Sequence, residues 1–475
     1  YPHLGGDWFG HNKNTVYSKF TPEISAKTLV YIPESERQAL IDLYNSTGGD
    51  NWVNHAGWKG AIGTECNWFG VKCNNEKSHV VELDLDNNDE GNNLTGAINP
   101  SIENLIYLQK LDFSNNHINQ LASEIGKLTH LNYLSLFSNN LNQLPSTIGN
   151  LSNLSYLTVC LNELTSLPPE IGNLKNLKEL YLHSAGLTQL PSEIGNLSNL
   201  ILLDLRLNKL SSIPPEIGNL SNLTSFLKLS SNKLTSVPPE IGQLTKLRNL
   251  SLDSNELTNV PPEIGNLTNL TYLSLHHNNL TSVPTELGNL TNLHTLSLAR
   301  NKLTTIPPGI GNLGQLEYLS LCGNKLSSLP SEISNLNRLK TIYLGYNTLD
   351  IIAPEMINFL NSKQVDWQKT QTISPKQLTV TTKTENSIAL SWSSIEYTGD
   401  QGGYEIYYSQ SDNKSYTIYD ITTDKTIEQM TISDLYPNTI YYFKIRTITA
   451  PHTYSSWYET NLNTVYSKFT TEISD

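Results

Sequence analysis

The sequence predicts a chain of the α/β to mainly β class, with a solenoid of about 12 short turns sharing one parallel sheet, followed by a β-sandwich. Three observations support this. A segment of 23 residues repeats through the middle of the chain. After about residue 373, the repeat gives way to the alternation of apolar and polar residues that is typical of β-strands. Residues 1–25 also match residues 450–474 without a gap, which indicates a module that is used more than once.

Each repeat combines leucines two residues apart with an asparagine just beyond them. The stretch "LNYLSLFSNNLNQLPSTIGN" is followed 23 residues later by "LSYLTVCLNELTSLPPEIGN". Leucines such as Leu134 and Leu136 point to one side of a short strand, and stacked turns must share a core because one turn cannot bury them alone. We expect the asparagine at a buried bend, where its amide bonds backbone groups of neighbouring turns. Its positions are Asn116, Asn139, Asn162, Asn208, Asn232, Asn255, Asn278, Asn301, Asn324 and Asn347.

Two turns depart from this pattern. Ala185 takes the asparagine position in "HSAGL", so one side-chain amide should be missing from the series. The step from Asn208 to Asn232 is one residue longer than the others, and the extra residue lies between Leu223 and Leu227. An inserted residue in a strand is typically accommodated as a bulge, so we expect a β-bulge at the start of that strand.

Over about residues 78–360, these repeats resemble the leucine-rich repeat family, which implies a solenoid with a parallel sheet on its concave side. On the other side, "LPPEIGNL" predicts a short helical turn with proline at its first position and glutamate near its positive end. The glutamates form either a strip for divalent cations or basic partners or, as we prefer, a column of solvated helix-start residues. They are Glu124, Glu170, Glu193, Glu216, Glu240, Glu263, Glu286, Glu332 and Glu355.

Residues 26–77 are predicted to cap the first turn. "ESERQALIDLYNSTGGDNW" predicts a helix with a capping box at Ser35–Gln38 that ends at Gly48. Its apolar face consists of Leu40, Leu43 and Tyr44. At the other end of the solenoid, within residues 351–372, "APEMINFLNSKQVDW" is expected to close the last turn, and "KTQTISPKQ" is expected to be a linker. The closing side chains are predicted to be Met356, Phe359, Leu360 and Trp367.

The segment "CNWFGVKC" resembles the N-terminal cap of plant-type leucine-rich repeat proteins. The resemblance includes both cysteines together with Trp68, Gly70 and Val71. It implies a disulfide between Cys66 and Cys73 and a protein that is secreted, extracellular or at the cell surface.

Residues 373–475 predict an immunoglobulin-like sandwich. "SIALSW" supplies its second strand, "GYEIYYS" its third and "LYPNTIYYFKIRTI" its sixth. The set Leu435, Pro437, Thr439 and Tyr441 resembles the fibronectin type III domain, in which Tyr441 corresponds to the tyrosine corner and Trp392 to the core tryptophan. No Arg-Gly-Asp triplet is present, so the sequence gives no support for integrin binding.

The duplicated ends fit this domain. Residues 463–470, "NTVYSKFT", predict its final strand, with Val465, Ser467 and Phe469 on one face, and residues 14–21 have the same sequence. Residues 1–25 are therefore interpreted as the last strand of a preceding sandwich. Either this chain is one period of a covalent array, which we favour, or the segment pairs with another copy by strand exchange. The predicted assembly residues are Asn14, Val16, Tyr17, Phe20, Val465, Tyr466 and Phe469.

The repeat also fixes which side chains face the concave side. Exposed tyrosines suit protein or glycan ligands, although "YLSL" is partly repeat consensus. His183, Arg206, Phe226 and His276 break that consensus and are the best central candidates. Cys160 and Cys322 share one column seven turns apart, roughly 30 Å or more, and are expected to be free thiols. The predicted ligand-binding residues are Tyr133, Phe137, Tyr156, Tyr181, His183, Arg206, Phe226, Tyr272, His276, Tyr318 and Tyr343.

Composition excludes several other functions. The formal charge is −13 with no cluster of lysine and arginine, so nucleic acid is an unexpected partner, and no apolar run is long enough to insert into a membrane. Asp86, Asn88 and Glu90 have calcium-loop spacing, but Ala97 stands where an acidic residue is needed, so no metal or cofactor is predicted. No catalytic constellation is present, so we expect a protein that is not an enzyme. The two hypotheses are an extracellular structural or adhesive array and, as the alternative, a surface recognition module.

Overall fold

The computed structural model describes residues 31–87, 90–351, 353–410, 415–451 and 463–474. The predictions for Asn14, Val16, Tyr17 and Phe20 lie outside the described residues, as does Asn88 of the suggested calcium loop. The described chain contains a long solenoid followed by a β-sandwich, so the predicted fold class is confirmed.

Thirteen short strands form the sheet of the solenoid, in the order β1, β2, β4, β6 to β15. The first pair is antiparallel and every later pair is parallel, with registers such as Leu134 opposite Leu157. Strands β3 and β5 form a separate pair. The bounds are β1 (Val71–Cys73), β2 (Val80–Asp84), β3 (Thr95–Ala97), β4 (Lys110–Asp112), β5 (His117–Gln120), β6 (Tyr133–Ser135), β7 (Tyr156–Thr158), β8 (Glu179–Tyr181), β9 (Leu202–Asp204), β10 (Phe226–Lys228), β11 (Asn249–Ser251), β12 (Tyr272–Ser274), β13 (Thr295–Ser297), β14 (Tyr318–Ser320) and β15 (Thr341–Tyr343).

The asparagines form the expected ladder of buried amides. Asn208 shows the pattern: its Nδ2 donates to the carbonyls of Leu182 at 2.8 Å and Leu205 at 2.9 Å, and its Oδ1 accepts from the N–H of Leu187 at 2.9 Å. One side chain therefore joins its own bend to the preceding turn. Buried backbone groups need partners, and these amides supply them along the solenoid.

The turn at Ala185 lacks this amide, as predicted, and its backbone takes a different path. Gly186 has φ +88°, and a Cβ on it would lie 2.8 Å from the carbonyl oxygen of Leu164. The chain thus approaches the preceding turn directly where the asparagine is missing. Strand pairing continues through this turn, with Leu180 opposite both Leu157 and Leu203.

The β-bulge predicted between Leu223 and Leu227 is wrong. Strand β10 pairs in regular register with both neighbours, with Leu227 opposite Leu203 and Leu250. The extra residue is instead taken up ahead of the strand, where Ser225 forms a bend. The loop absorbs it because the parallel ladder on both sides fixes the register of a strand of only three residues.

Short 3-10 helices line the convex side where helical turns were predicted. In the segments that carry glycine at the fourth position, this residue lies close to the next turn: a Cβ on Gly149 would lie 2.3 Å from the carbonyl oxygen of Glu170. In these turns glycine permits the close spacing. The bounds are Pro100–Asn104, Ser123–Lys127, Ser146–Asn150, Pro169–Asn173, Ser192–Asn196, Pro215–Asn219, Pro239–Gln243, Pro262–Asn266, Thr285–Asn289, Pro308–Asn312 and Ser331–Asn335.

The N-terminal cap is helix α1 (Glu34–Ser46), which buries its predicted apolar face and is followed by Gly48 at φ +72°. The capping box predicted at Ser35–Gln38 is wrong, because the helix begins two residues earlier, with Pro33 instead of Ser35 at the N-cap, and has no side-chain cap. The buried carboxylate of Glu36 accepts from the N–H of Val80 instead, which ties the helix to the sheet. Cys66 and Cys73 form a disulfide, with their Cα atoms 5.4 Å apart.

The C-terminal end closes with helix α2 (Pro354–Asn361) and the buried ring of Trp367. The linker predicted beyond it is wrong at Gln371, which is buried in the core of the last turn. Its Oε1 accepts from the N–H of Leu349, and its Nε2 donates to the carbonyls of Leu344 and Trp367. Gln371 thus occupies the place of a further ladder asparagine.

The sandwich has two sheets, β16–β17–β20 and β19–β18–β21–β22, with β23 also paired to β21. Trp392 and Tyr404 form its aromatic core, with ring centroids 5.5 Å apart. The hydroxyl of Tyr441 accepts from the N–H of Tyr436 at 2.8 Å, which confirms the tyrosine corner. The bounds are β16 (Lys376–Lys383), β17 (Ile388–Ser393), β18 (Gly402–Ser409), β19 (Thr417–Ile421), β20 (Gln429–Ile432), β21 (Tyr442–Thr449), β22 (Val465–Tyr466) and β23 (Ile473–Ser474).

The final strand is interrupted, which corrects the prediction that Phe469 shares a face with Val465 and Ser467. The N–H of Ser467 donates to the carbonyl of Thr447, and the N–H of Thr470 donates to that of Ile445. An advance of three residues along the final strand therefore matches an advance of only two residues along β21. This extra residue reverses the alternation. Val465 and Ser467 are buried, whereas the ring of Phe469 lies on the outer face, 5.1 Å from that of Tyr407.

The sandwich also touches the solenoid directly. The hydroxyls of Thr372 and Thr449 are 2.8 Å apart, and the rings of Tyr346 and Tyr397 are 5.8 Å apart. The side-chain amide of Asn463 donates to the carbonyl of Asn301 at 2.7 Å. The sandwich therefore packs against the last turns of the solenoid, and a flexible linker is not its only connection to them.

Candidate functional site

The concave face presents the predicted ligand-binding side chains in three columns. Each three-residue strand places its first and third side chains on this face, and a further side chain follows two residues later. All of the predicted positions are half-buried. The first column holds Tyr133, Tyr156, Phe226, Tyr272 and Tyr318, the second holds Tyr181 and Tyr343, and the third holds Phe137, His183, Arg206 and His276.

Three tyrosines on consecutive strands form one aromatic surface, here called the tyrosine stack. The rings of Tyr133 and Tyr156 are parallel within 5° with centroids 4.4 Å apart, and the ring of Tyr181 lies 5.4 Å from that of Tyr156. Phe137 and His183 meet edge to face beside it at 6.2 Å. Together they line a recess of about 500 Å³. Burial raises the pKa of Tyr133, whose hydroxyl donates to Asp112 Oδ2 at 3.4 Å.

The middle of the face carries an ion cluster. Arg206 donates to both oxygens of buried Asp204, at 2.9 and 2.7 Å, and the Lys228 ammonium lies 3.5 Å from the same carboxylate. Burial alone would raise the pKa of Asp204, but the hydrogen bonds from Arg206 and the nearby charges lower it. Lys228 also sits 4.9 Å from the centroid of the Phe226 ring. Arg206 is thus engaged within the protein, and its guanidinium is fixed in position.

A second recess of about 420 Å³ lies towards the C-terminal end, lined by Tyr272, His276, Arg300, Tyr318 and their small neighbours. His276 Nδ1 is 2.8 Å from the Ser274 hydroxyl, and its Nε2 is 3.7 Å from Asp253. Burial lowers the pKa of His276, which keeps the ring neutral at pH 7. The recess therefore combines aromatic walls with hydroxyl, imidazole and guanidinium groups.

The structure separates the predicted residues into two groups instead of one site. Strand β12 lies four strand steps from β8, so the tyrosine stack and the second recess are roughly 20 Å apart. The rings of Tyr318 and Tyr343 meet at 5.5 Å beyond the second recess. A ligand that contacts both groups must be extended along the sheet.

Sequence reasoning missed Arg300, and it considered Asp86 as a calcium ligand without placing it beside Asp84 and Asp112. Arg300 breaks its column, where nearby turns carry small residues such as Ser231 and Ser254, and that departure was a usable signal. The side-chain oxygens of Asp84, Asp86 and Asp112 lie within 4.8 Å of one another and are the described groups best placed to hold a metal. However, the Lys110 ammonium lies 2.5 Å from Asp84 and balances part of that charge.

The cysteines behave as expected. Cys160 and Cys322 are both buried free thiols. Burial raises the pKa of Cys160 to about 11, which leaves it protonated and unreactive at neutral pH.

Comparison with protein families gives matches to the N-terminal cap, the repeats and most of the sandwich. The leucine-rich repeat region matches residues 78–186, 170–259, 225–307 and 258–350. The leucine-rich repeat N-terminal domain matches residues 33–74, and the fibronectin type III domain matches residues 374–460.

Similar curated proteins are receptor kinases of Arabidopsis thaliana. A putative leucine-rich repeat receptor-like serine/threonine-protein kinase is 35% identical over 94 residues, which is 20% of this chain and 9% of the kinase. The receptor-like kinase EFR is 34% identical over 84 residues, 18% of this chain and 8% of the kinase. The chain thus matches less than a tenth of the length of these relatives, and only in their repeats.

Similar solved structures include bacterial and plant solenoids. The Leptospira interrogans protein LIC12759 is 40% identical with a TM-score of 0.54, over 58% of this chain and 69% of that one. PEPR1 in complex with AtPEP1 is 29% identical with a TM-score of 0.52, over 70% and 54%. The ectodomain of the Arabidopsis receptor kinase HAESA, bound to an IDA peptide hormone, is 29% identical with a TM-score of 0.53, over 66% and 54%.

The architecture resembles that of receptor ectodomains, and in the described part of the chain no helix has the length and apolarity to cross a bilayer. The matched repeats cover residues 78–350, more than half of the 475 residues, between a matching N-terminal cap and a fibronectin type III domain. The chain belongs to the leucine-rich repeat family.

Proposed function

We propose that this protein is an extracellular recognition module that binds an extended segment of a partner protein along its concave face. The tyrosine stack is the observation that carries the proposal. It offers a rigid aromatic surface, which is the chemistry that anchors protein ligands at low entropic cost. The two recesses, roughly 20 Å apart along one sheet, suit a ligand that lies across several turns.

The comparisons support a peptide more than a glycan. The solved HAESA ectodomain, 29% identical to this chain, holds an IDA peptide hormone ligand. The concave face here has the same fold, and its aromatic residues span several consecutive turns rather than one compact pocket. Sugar binding remains the competing outcome in the test.

The test compares two variants in binding to a displayed library of random peptides and to an array of glycans. Tyr133→Ala/Tyr156→Ala/Tyr181→Ala removes the stack, whereas Asn249→Ala/Ser251→Ala/Thr341→Ala changes the same two columns of the sheet outside both recesses. We expect the wild type and the second variant to enrich the same peptides and the first variant to lose them. Enrichment of glycans alone, or of the same peptides by all three proteins, would contradict the proposal.

A second proposal concerns assembly, and the duplicated segment supports it. Residues 463–470 bury Val465 in the sandwich core and stack the Arg446 guanidinium 4.3 Å from the ring of Tyr466. Residues 14–21 carry the same side chains in the same order. A preceding sandwich would offer them identical contacts, so the chain is proposed to be one period of an extracellular array of solenoids and sandwiches.

The reading frame on either side of this sequence decides between the two modes of joining. We expect codons for the first six strands of a fibronectin type III domain directly before Tyr1. An in-frame start at that point would contradict the covalent array. Concentration-dependent filaments of the purified chain, lost on deletion of residues 1–25, would then identify strand exchange instead.

A further inference from the structure

The two recesses of the concave face differ in the charge of their linings. The recess beside the tyrosine stack, here called the first recess, is lined by the carboxylates of Asp86 and Asp112. A carboxylate oxygen of Asp84 lies within 4.8 Å of an oxygen from each of them. The second recess is lined by Arg300, and none of the other described residues in its wall is acidic. The first lining is therefore acidic, and the second is basic.

Neighbouring charges leave the first recess acidic. The Lys110 ammonium lies 2.5 Å from Asp84 and 3.2 Å from Glu82. Lys72 lies 3.0 Å from the same glutamate. These lysines balance only part of the negative charge, because the acids of this region outnumber its bases. Within two residues of the sheet strands from β1 to β8, the acids are Glu82, Asp84, Asp86, Asp112 and Glu179, and the lysines and arginines are Lys72, Lys110 and Lys178.

Neighbouring charges likewise leave the second recess basic. Asp253 approaches its wall, with a carboxylate oxygen 3.7 Å from His276 Nε2. Glu317 lies at the start of β14, where Lys340 pairs with it at 2.6 Å. Basic side chains in the turns that follow β13 and β14 outweigh the remaining acid. They are Arg300, Lys302 and Lys325.

The sandwich shows how aromatic rings and a carboxylate together hold a cation in this protein. Arg446 Nε donates to Glu405 at 2.6 Å, and the guanidinium lies 4.3 Å from the centroid of the Tyr466 ring. The first recess offers the same two chemistries, since the tyrosine stack and the carboxylates of Asp86 and Asp112 line one space of about 500 Å³. Cations are attracted both to ring faces and to carboxylates. The first recess therefore suits an arginine or lysine side chain.

The second recess has the complementary chemistry. Its walls are the rings of Tyr272 and Tyr318, and Ser297 and Arg300 add a hydroxyl and a guanidinium to the lining. A guanidinium binds a carboxylate through two parallel hydrogen bonds, and a hydroxyl donates a further one. The recess therefore suits the side chain of a glutamate or an aspartate.

The distance between the recesses sets the spacing of these two side chains. The first recess centres on β7, and the second centres on β13, six strand steps further along the sheet. Six steps span roughly 30 Å, which an extended chain covers in about nine residues.

We infer that the partner segment carries a basic side chain that enters the first recess and an acidic side chain, about nine residues away, that enters the second. This inference rests on the proposed function and adds the charge pattern of the ligand. It makes the concave face selective for a segment with opposite charges at its two ends.

The probes are labelled extended peptides with blocked termini, so that their only charges are on side chains. In a constant sequence of serine and leucine, two positions about nine residues apart carry arginine and glutamate, two arginines or two glutamates. A fourth probe has arginine and glutamate side by side. We expect the wild-type chain to bind the separated arginine–glutamate probe about tenfold more tightly than each of the others.

Two variants of the chain assign each charge to its recess. Arg300→Glu reverses the charge of the second recess and should make the probe with two arginines the tightest ligand. Asp86→Asn/Asp112→Asn should weaken the separated arginine–glutamate probe about tenfold and leave the probe with two glutamates unchanged. Asparagine at 112 keeps a side-chain oxygen for the hydrogen bonds from Ser114. The control Lys246→Glu makes a charge reversal on an exposed turn outside both recesses and should change no affinity.

The outcomes separate this inference from the proposed function. Equal binding of all four probes, lost in Tyr133→Ala/Tyr156→Ala/Tyr181→Ala, would overturn the charge pattern and leave the peptide proposal standing. So would an Arg300→Glu variant that still prefers the separated arginine–glutamate probe. If neither these probes nor the displayed peptides bind, the inference fails together with the proposed function.

Discussion

Two adjacent turns of the solenoid are joined to the turns before them by different groups. The turn that ends at Asn208 joins its bend to the preceding turn through one buried amide, whereas the turn before it has only Ala185 at that position. In the alanine turn, Gly186 brings the backbone itself against Leu164. The strands on both sides keep their register. The leucines and the sheet therefore hold the turns in register, and the asparagines hold the shape of each bend.

The comparison predicts the largest loss of stability for removal of a ladder amide. Asn208→Ala leaves the N–H of Leu187 and the carbonyl of Leu182 without their partner in a bend shaped for asparagine. Buried groups that lose a partner cost about 1 to 3 kcal/mol each, so we expect a loss of about 3 to 4 kcal/mol. Urea unfolding followed by circular dichroism measures it. Asn196→Ala, on the exposed convex side, is the control, and an equal effect of both variants would contradict the role of the ladder.

A smaller loss of stability is expected at the C-terminal end of the ladder. Gln371→Ala removes the acceptor of the Leu349 N–H and two donated bonds, but the last turn can open locally. We expect about 2 to 3 kcal/mol, confined to this turn. Hydrogen exchange should show faster exchange at Leu349 and unchanged exchange around Leu187. Exposed Gln368→Ala should change neither, and uniform loss of protection in the glutamine variant would show that the end is not a separate unit.

The alanine turn itself should be sensitive to its glycine. Gly186→Ala adds a Cβ 2.8 Å from the Leu164 carbonyl at φ +88°, which we expect to cost about 1 to 2 kcal/mol. Gly314→Ala is the matched control, because a Cβ there meets nothing within 4 Å. Thermal unfolding of the two variants tests the prediction. A lower melting temperature for Gly314→Ala than for Gly186→Ala would show that the backbone at Ala185 is not held as described.

The repeat pattern predicted the elements that recur, but it did not reveal two features that occur once, the burial of Gln371 and the outer position of Phe469. Asn208 has nine counterparts at fixed spacing, so its buried place was readable from the sequence. Gln371 has none: it follows a helix and a stretch rich in polar residues, and its part in the ladder depends on how α2 returns the chain to the sheet. Phe469 changed face because a single extra residue in the last strand reverses the alternation, which no pattern of eight residues reveals.

The candidate site follows the same division. The columns of the concave face were predicted correctly, since each strand repeats the same geometry. The division of these residues into a tyrosine stack, an ion cluster and a second recess was not predicted. The parallel rings of Tyr133 and Tyr156 depend on side-chain rotamers, and the pairing of Arg206 with Asp204 depends on a neighbour two residues away. Ligand binding by these residues stays a prediction.

The smallest effect concerns the pH dependence of stability, to which His276 in the second recess contributes. Burial lowers the pKa of His276 below its ordinary value, while the unfolded chain protonates near pH 6.5. The unfolded state therefore binds more protons as the pH falls through 6.5, and the free energy of unfolding should decrease between pH 7.5 and 5.5. His183 and His277, whose pKa values burial also lowers, contribute in the same direction.

His276→Gln should reduce this decrease in the free energy of unfolding, measured as the shift of the urea midpoint between the two pH values. His130→Gln, at an exposed histidine, should leave it as in the wild type, and an unchanged shift in His276→Gln would mean that the imidazole is solvated within the recess.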